Sequence, residues 1–189
     1  MSTVYTRCDS PLGELLLVGD EPSAGLLSVS VPEQKGGAVV LAGWREVPGA
    51  FAEARAQLAA YFAGRLTRFE LPYAPGAGTE FQRRVWRALE EIPYGSTVSY
   101  GWVAQRVGVA GAGVRAVGTA IGRNPLLVVR PCHRVIGADG SLRGYAGGPA
   151  RKERLLSIEG AWAEGRATGP AVAPAERADR DTAGGPGRG

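Results

Sequence analysis

Cys132 stands between Pro131 and the basic pair His133-Arg134, behind the short apolar run Leu126–Val129. A free thiol titrates near pH ~8.5 and is only partly thiolate at neutral pH; adjacent basic groups raise that fraction. The arrangement suits a nucleophile, and it equally suits a buried, inert cysteine behind an apolar strand. Cys8 has no such neighbours and reads as structural. A second group lies further along. Lys152, Leu155, Leu156 and Glu159 fall at i, i+3, i+4 and i+7, on one face of a helix. The leucines mark that face as buried, and a buried charge needs a partner. Seven residues rise about 10 Å along a helix, too far for Lys152 and Glu159 to pair with each other. Either each enters a polar site, or both sit at the rim with stems packed and heads in water.

These residues need elements to hold them. Thr3–Cys8 and Glu14–Val18 are β-prone and flank a turn at Asp9–Gly13, and Leu26–Val31 forms a third strand. Residues 32–49, rich in Gly and Pro, form a loop. Phe51–Ala63 is a helix stopped by Gly64, and Phe69–Leu71 a last short strand. Pro72–Gly78 has linker composition and marks a domain boundary. Beyond it, Thr79-Glu80-Phe81-Gln82 is a capping box, followed by Phe81, Val85, Leu89 and Ile92 on one helical face. Ser99 caps a helix to about Val107, Gly108–Gly113 turns, and Val114–Ile121 is a third helix. Together they give a helix-turn-helix outline. Leu126–Val129 is a strand, and Pro149–Glu159 the last helix.

The chain has 189 residues, 44% of them apolar and 21% charged, enough for one or two globular domains. No apolar run approaches the ~18 residues of a membrane span, and no signal peptide is expected. Two cysteines and one histidine do not make a disulfide framework or a structural zinc site. Charge is uneven: residues 1–80 carry a net −3, residues 81–159 a net +7. A basic segment beside an acidic one suits a polyanion-binding unit, or an ordinary solvated surface. From 161 onward, 17 of 29 residues are Ala, Gly or Pro, so residues 161–189 are expected to be a disordered tail.

The motifs together resemble the O6-alkylguanine-DNA alkyltransferases (methylated-DNA–protein-cysteine methyltransferases), most closely the bacterial constitutive type. The resemblance runs from about Tyr5 to Gly160. It rests on Pro131-Cys132-His133-Arg134-Val135-Ile136-Gly137, with Arg115-Ala116-Val117-Gly118, Asn124-Pro125, Gly144-Tyr145-Ala146-Gly147-Gly148, Arg151-Lys152-Glu153 and Glu159-Gly160. Upstream, Thr79–Gln82, Ile92–Gly95 and Val98-Ser99-Tyr100 also match.

The resemblance implies an α/β protein in three parts. Residues 1–75 would be a ribonuclease H-like α/β domain. Residues 76–160 would be a mainly helical, winged-helix-like DNA-binding and catalytic domain, and 161–189 the tail. It implies irreversible, single-turnover transfer of the alkyl group from O6-alkylguanine, and O4-alkylthymine, to Cys132. His133 would act as base through a water, Glu159 would orient it, Tyr100 would hydrogen-bond the flipped base, and Lys152 would support the site. Val135 and Ala146 would read the guanine edge with their backbones, Arg115 would fill the vacated stack, and Asn124 would tie the turn to the active-site loop. Arg134, Tyr145 and Gly118 complete the expected DNA- and substrate-binding set. The implied partner is double-stranded DNA with alkylated bases, bound through the minor groove by a cytoplasmic monomer without cofactor or metal.

The sequence departs from the family at Arg130, where an apolar residue is usual, and at Ala146, where some relatives have Ser. The Tyr100–Arg115 spacing is one residue longer than in some members. Alkyltransferase-like damage-binding proteins share the DNA-binding face but lack the reactive cysteine, which this chain has. A cysteine hydrolase would need a histidine brought to the thiol from elsewhere, and the one histidine is its neighbour in sequence.

Overall fold

Ser10 sets the first hairpin. Its Oγ accepts from Leu12 N (3.1 Å) and its carbonyl from Gly13 N (3.0 Å), with Gly13 at φ +105°. In this computed structural model, which describes residues 2–21, 25–74 and 78–172, that turn joins β1 (Ser2–Cys8) to β2 (Leu15–Glu21) in antiparallel register. β3 (Leu26–Ser30) adds to β2, and β4 (Arg45–Glu46) pairs parallel to β1 from within the 32–49 segment, giving the order β3-β2-β1-β4. Val4 and Thr6, then Leu15 and Leu17, alternate into the core. Helix α1 (Ala52–Phe62) packs Ala54, Leu58 and Tyr61 inward.

The second half is helical. Thr79 and Gln82 close the capping box that starts α2 (Glu80–Glu90), and Val85, Trp86, Ala88 and Leu89 are its buried face. β5 (Val98–Ser99) leads into α3 (Tyr100–Val107), where Ser99 Oγ accepts from Trp102 N (3.1 Å). Then comes α4 (Gly113–Gly122). A turn of 3-10 helix, Cys132–Arg134, runs into β6 (Val135–Ile136), which pairs parallel to β5; α5 (Pro149–Ile158) follows. One continuous core joins the halves: Val29 N donates to Pro125 O (2.9 Å), and Leu127 N to Val29 O (3.1 Å). The edge of the N-terminal sheet thus braces the segment that carries Cys132.

Three expectations change. Phe69–Leu71 is not a strand: the Gln57 side chain both accepts from Glu70 N and donates to Glu70 O (2.9 Å each), taking the place of a neighbouring strand. Leu126–Val129 pairs only at Leu126, because Val128 sits at φ +70° and Val129 N turns back onto Leu127 O (2.8 Å). That tight turn around a β-branched residue is strained. Third, order continues past residue 161. Ala161 and Trp162 are buried against Ile136 and Leu156, and β7 (Trp162–Ala163) pairs with β8 (Arg166–Ala167). Ala171 then bridges to Thr97. The rest of the expected tail, 173–189, and the centre of the expected linker, 75–77, lie outside the described residues.

Candidate active site

Cys132 is 3% exposed and His133 fully buried. Burial pushes the thiol's pKa up, opposed chiefly by a hydrogen bond from Asn124 and by the charge on Lys152. Asn124 Nδ2 stands 3.2 Å from Cys132 Sγ. The amide is fixed by Leu126 N donating to its Oδ1 (3.1 Å), while Nδ2 also reaches the carbonyls of Arg130 (3.1 Å) and Leu126 (3.3 Å). The thiol of Cys132 is thus met by a donor whose orientation the surrounding backbone fixes.

His133 Nε2 lies 2.7 Å from Glu159 Oε1. A carboxylate there holds the proton on Nε2 and leaves Nδ1 as the free base. Nδ1 is buried without a hydrogen-bond partner among the described residues. Burial lowers the histidine's pKa, opposed by Glu159. Burial also disfavours the Glu159 anion, yet its His133 and Arg134 partners hold the carboxyl well below the usual range.

Lys152 is 1% exposed and Glu159 6%, so neither is a rim residue. Lys152 Nζ reaches Arg143 O (3.5 Å) and lies 6.0 Å from the Tyr145 ring centre. Burial pushes its pKa down to about 8. Tyr100 OH donates to the same Arg143 carbonyl (3.0 Å). Gly144 permits this approach: a Cβ there would stand 2.6 Å from the Tyr100 oxygen, at a backbone φ of +86°. Gly118, on α4, faces the Tyr100 ring, where an added Cβ would make ordinary contact. Tyr145 is buried with its hydroxyl unpartnered among the described residues. Ala146 gives its carbonyl to Lys35 N (3.2 Å), and Val135 is buried with its N–H donated to Cys132 O. Arg115 lies exposed in the first turn of α4, away from this cluster's buried interior.

Arg134, expected in the DNA- and substrate-binding set, is 7% exposed and grips Glu159 with two parallel bonds, Nε to Oε2 and Nη2 to Oε1 (2.9 Å each). Its Nη1 donates to Ile92 O (2.6 Å). A buried carboxylate needs a fixed counter-charge, and the arginine fork supplies it. Arg130 also turns inward, between the Tyr73 and Trp86 rings, with Nε on Glu90 (3.0 Å). Sequence reasoning missed Tyr61, whose hydroxyl donates to Glu159 Oε1 (2.7 Å) across 98 residues; helical spacing marks it as core and nothing more. It also gave Gly144 no role, although glycine beside an aromatic contact is a detectable signal.

Among the described residues, no three His, Cys, Asp or Glu side chains converge as a metal site. No helix there is long and apolar enough to cross a membrane.

Residues 3–75 match the family model "6-O-methylguanine DNA methyltransferase, ribonuclease-like domain", and residues 80–161 the model of the same family's DNA binding domain. A methylated-DNA–protein-cysteine methyltransferase of Mycolicibacterium paratuberculosis is 51% identical over 155 residues, 82% of this chain and 91% of that protein. One from Methanosarcina acetivorans is 50% identical over 156 residues, 82% of this chain and 97% of its own length. The crystal structure of Mycobacterium tuberculosis OGT in complex with DNA superimposes with a TM-score of 0.76 at 48% identity, covering 83% of this chain and 92% of that one.

Proposed function

Because the chain belongs to the 6-O-methylguanine DNA methyltransferase family, we propose that it repairs DNA by moving the alkyl group of O6-alkylguanine onto Cys132, once per molecule. The single observation that carries this reading is the buried Cys132 held by Asn124 beside the His133–Glu159 pair. In the proposed step the Sγ proton passes, through a water, to His133 Nδ1. Sulfur attacks the alkyl carbon, the carbon–O6 bond breaks, and its electron pair remains with guanine, which is then protonated. The product thioether is stable, and the motif holds no second nucleophile to remove the alkyl group.

Tyr100 donates to the flipped base, and Lys152 supports the thiolate and the departing oxygen. Tyr145 walls the pocket, and the backbone at Val135 and Ala146 faces the guanine edge. Gly118 lies on α4 beside the Tyr100 ring, within the substrate-binding set. The target atom lies inside a duplex, so the nucleotide must be extruded; Arg115 fills the gap from the minor-groove side, and the +7 segment supplies phosphate contacts. Minor-groove readout is degenerate, which suits damage in any sequence context. Residues 1–75 form the N-terminal unit in this reading and 76–160 the reacting one. The protein works as a cytoplasmic monomer without cofactor, and O4-alkylthymine is a second substrate.

Intact mass after incubation with duplex DNA containing O6-methylguanine tests the reading. A gain of about 14 Da on Cys132, with product never exceeding protein, is expected. Label on Cys8, or turnover beyond one equivalent, overturns it.

A further inference from the structure

Tyr61 belongs to α1 of the N-terminal half, yet its hydroxyl ends on the carboxylate just past α5, 98 residues away. We propose that Tyr61 is a positioning residue of the transfer reaction: by donating to Glu159 Oε1 its hydroxyl sets how strongly that carboxylate draws on His133, and through it the reactivity of Cys132. This rests on the alkyl-transfer reading above.

Glu159 is crowded with donors. Oε1 takes His133 Nε2 (2.7 Å), Tyr61 OH (2.7 Å) and Arg134 Nη2 (2.9 Å); Oε2 takes Arg134 Nε (2.9 Å) and Gly95 N (3.4 Å). A carboxylate offers about four lone-pair directions, so donors on one oxygen compete. Tyr61 shares the oxygen that His133 uses. It therefore withdraws negative charge from the histidine and weakens its basicity. The ordinary alternative is a buried tyrosine that merely found a partner.

Two features argue for more than that. The partner is the charge that faces the base. The ring is also locked, 1% exposed, with Phe69, Phe62 and Tyr94 centred 5.2, 5.4 and 6.3 Å away. Burial pushes the Tyr61 pKa far up, with Glu159 reinforcing it, so the phenol stays a donor at any working pH. The other groups facing this network are Arg134 beside His133, Lys152 from α5, Tyr145 from the loop before α5, and Tyr94 with Gly95 N from the turn after α2. Tyr61 donates from the opposite domain.

The chain has one histidine, so the imidazole nitrogen-15 signals of the full-length protein report His133 alone. In Tyr61→Phe the His133 titration is expected to move up by about one pH unit. The acid limb of the rate with free O6-benzylguanine should move with it. Placing 3-fluorotyrosine at position 61 keeps the shape and strengthens the donor, and should move both readouts down; this arm decides if Tyr61→Phe does not fold. Leu58→Ala loosens the same α1 contact with the hydroxyl intact, and should leave the His133 titration in place.

An unmoved His133 signal in folded Tyr61→Phe overturns the proposal. So does an unmoved signal with fluorotyrosine, or an equal shift in Leu58→Ala. Intact mass on the same samples separates the two readings. One alkyl group on Cys132 with an unmoved His133 sinks only the role of Tyr61, whereas no alkyl group on Cys132 of the unaltered protein sinks the transfer reading itself.

Discussion

Asn124 donates from Nδ2 to Cys132 Sγ at 3.2 Å, eight residues ahead of the thiol it serves. It stands just past the end of α4, and its amide also holds the carbonyls of Leu126 and Arg130. The helix that carries Arg115 and the loop that carries Cys132 therefore meet in one side chain. The hydrogen bond favours thiolate in a site whose burial opposes it.

Asn124→Ala should raise the apparent pKa of Cys132 and slow its reaction with free O6-benzylguanine about tenfold, the effect of ~1.4 kcal/mol. Two buried carbonyls also lose a donor, so stability should fall by about 1–3 kcal/mol. The check is the rate against pH alongside urea unfolding. A rate deficit that vanishes at high pH marks the thiolate effect; a deficit constant across pH would assign Asn124 to loop geometry alone.

Arg134 separates two readings cleanly. With its fork on Glu159 and Nη1 on Ile92 O, Arg134→Ala leaves a buried carboxylate short of its counter-charge. Unfolding free energy should drop by about 3–5 kcal/mol. The salt dependence of DNA affinity, measured on the folded protein, should stay unchanged. A DNA contact predicts the reverse: near-normal stability and a salt slope reduced by about one.

Lys152 is held charged at neutral pH against the cost of burial, and its pKa is pushed down to about 8 from an ordinary 10.5. Below pH ~8 both folded and unfolded chains carry the proton, so folding bears the whole cost, about 3 kcal/mol. Between pH ~8 and ~10.5 only the unfolded chain binds it, so this group's contribution to stability improves as pH rises. Lys152→Met removes the cost. The variant should be more stable than the parent at pH 7, with the difference shrinking toward pH 10.5. Its transfer should be slower, because the thiolate loses its nearby cation. Melting and single-turnover rates over the same pH series check both; a variant that is less stable at pH 7 would show that the ammonium's contacts outweigh its desolvation.

Helix starts were legible because they are local. Thr79 with Gln82, Ser99 with Trp102, and Pro149 each place chemistry within a few residues of the terminus it serves. The Cys132–His133 pair was legible for the same reason. Tyr61 was not, because its role depends on how the two halves pack, and Arg134 was not, because its carboxylate partner lies 25 residues away past another helix. Arg130 stood out as an oddity in sequence, but its place between Tyr73 and Trp86 joins residues from both halves. Composition misjudged residues 161–172: Ala161 and Trp162 bury well, and Gly169 approaches Gly95 O so closely that an added Cβ would stand 2.0 Å away. Small residues there permit contact with the loop beside Glu159 rather than signalling disorder.

Arg115 is exposed in the first turn of α4, where no buried partner among the described residues explains it. Its proposed task is to occupy the stack vacated by the flipped nucleotide. Arg115→Ala should therefore slow repair of duplex lesions and spare free O6-benzylguanine, which needs no flipping. Unstacking costs a few kcal/mol, so losing ~1.4 kcal/mol of compensation slows duplex repair about tenfold. A phosphate contact predicts weaker binding to all DNA, relieved at low salt, with little effect once DNA saturates. Single-turnover rates on duplex and on free base, at saturating DNA and two salt concentrations, distinguish them. Equal loss on both substrates would mean a damaged pocket. Loss confined to sub-saturating DNA would make Arg115 a phosphate contact and end the intercalation reading.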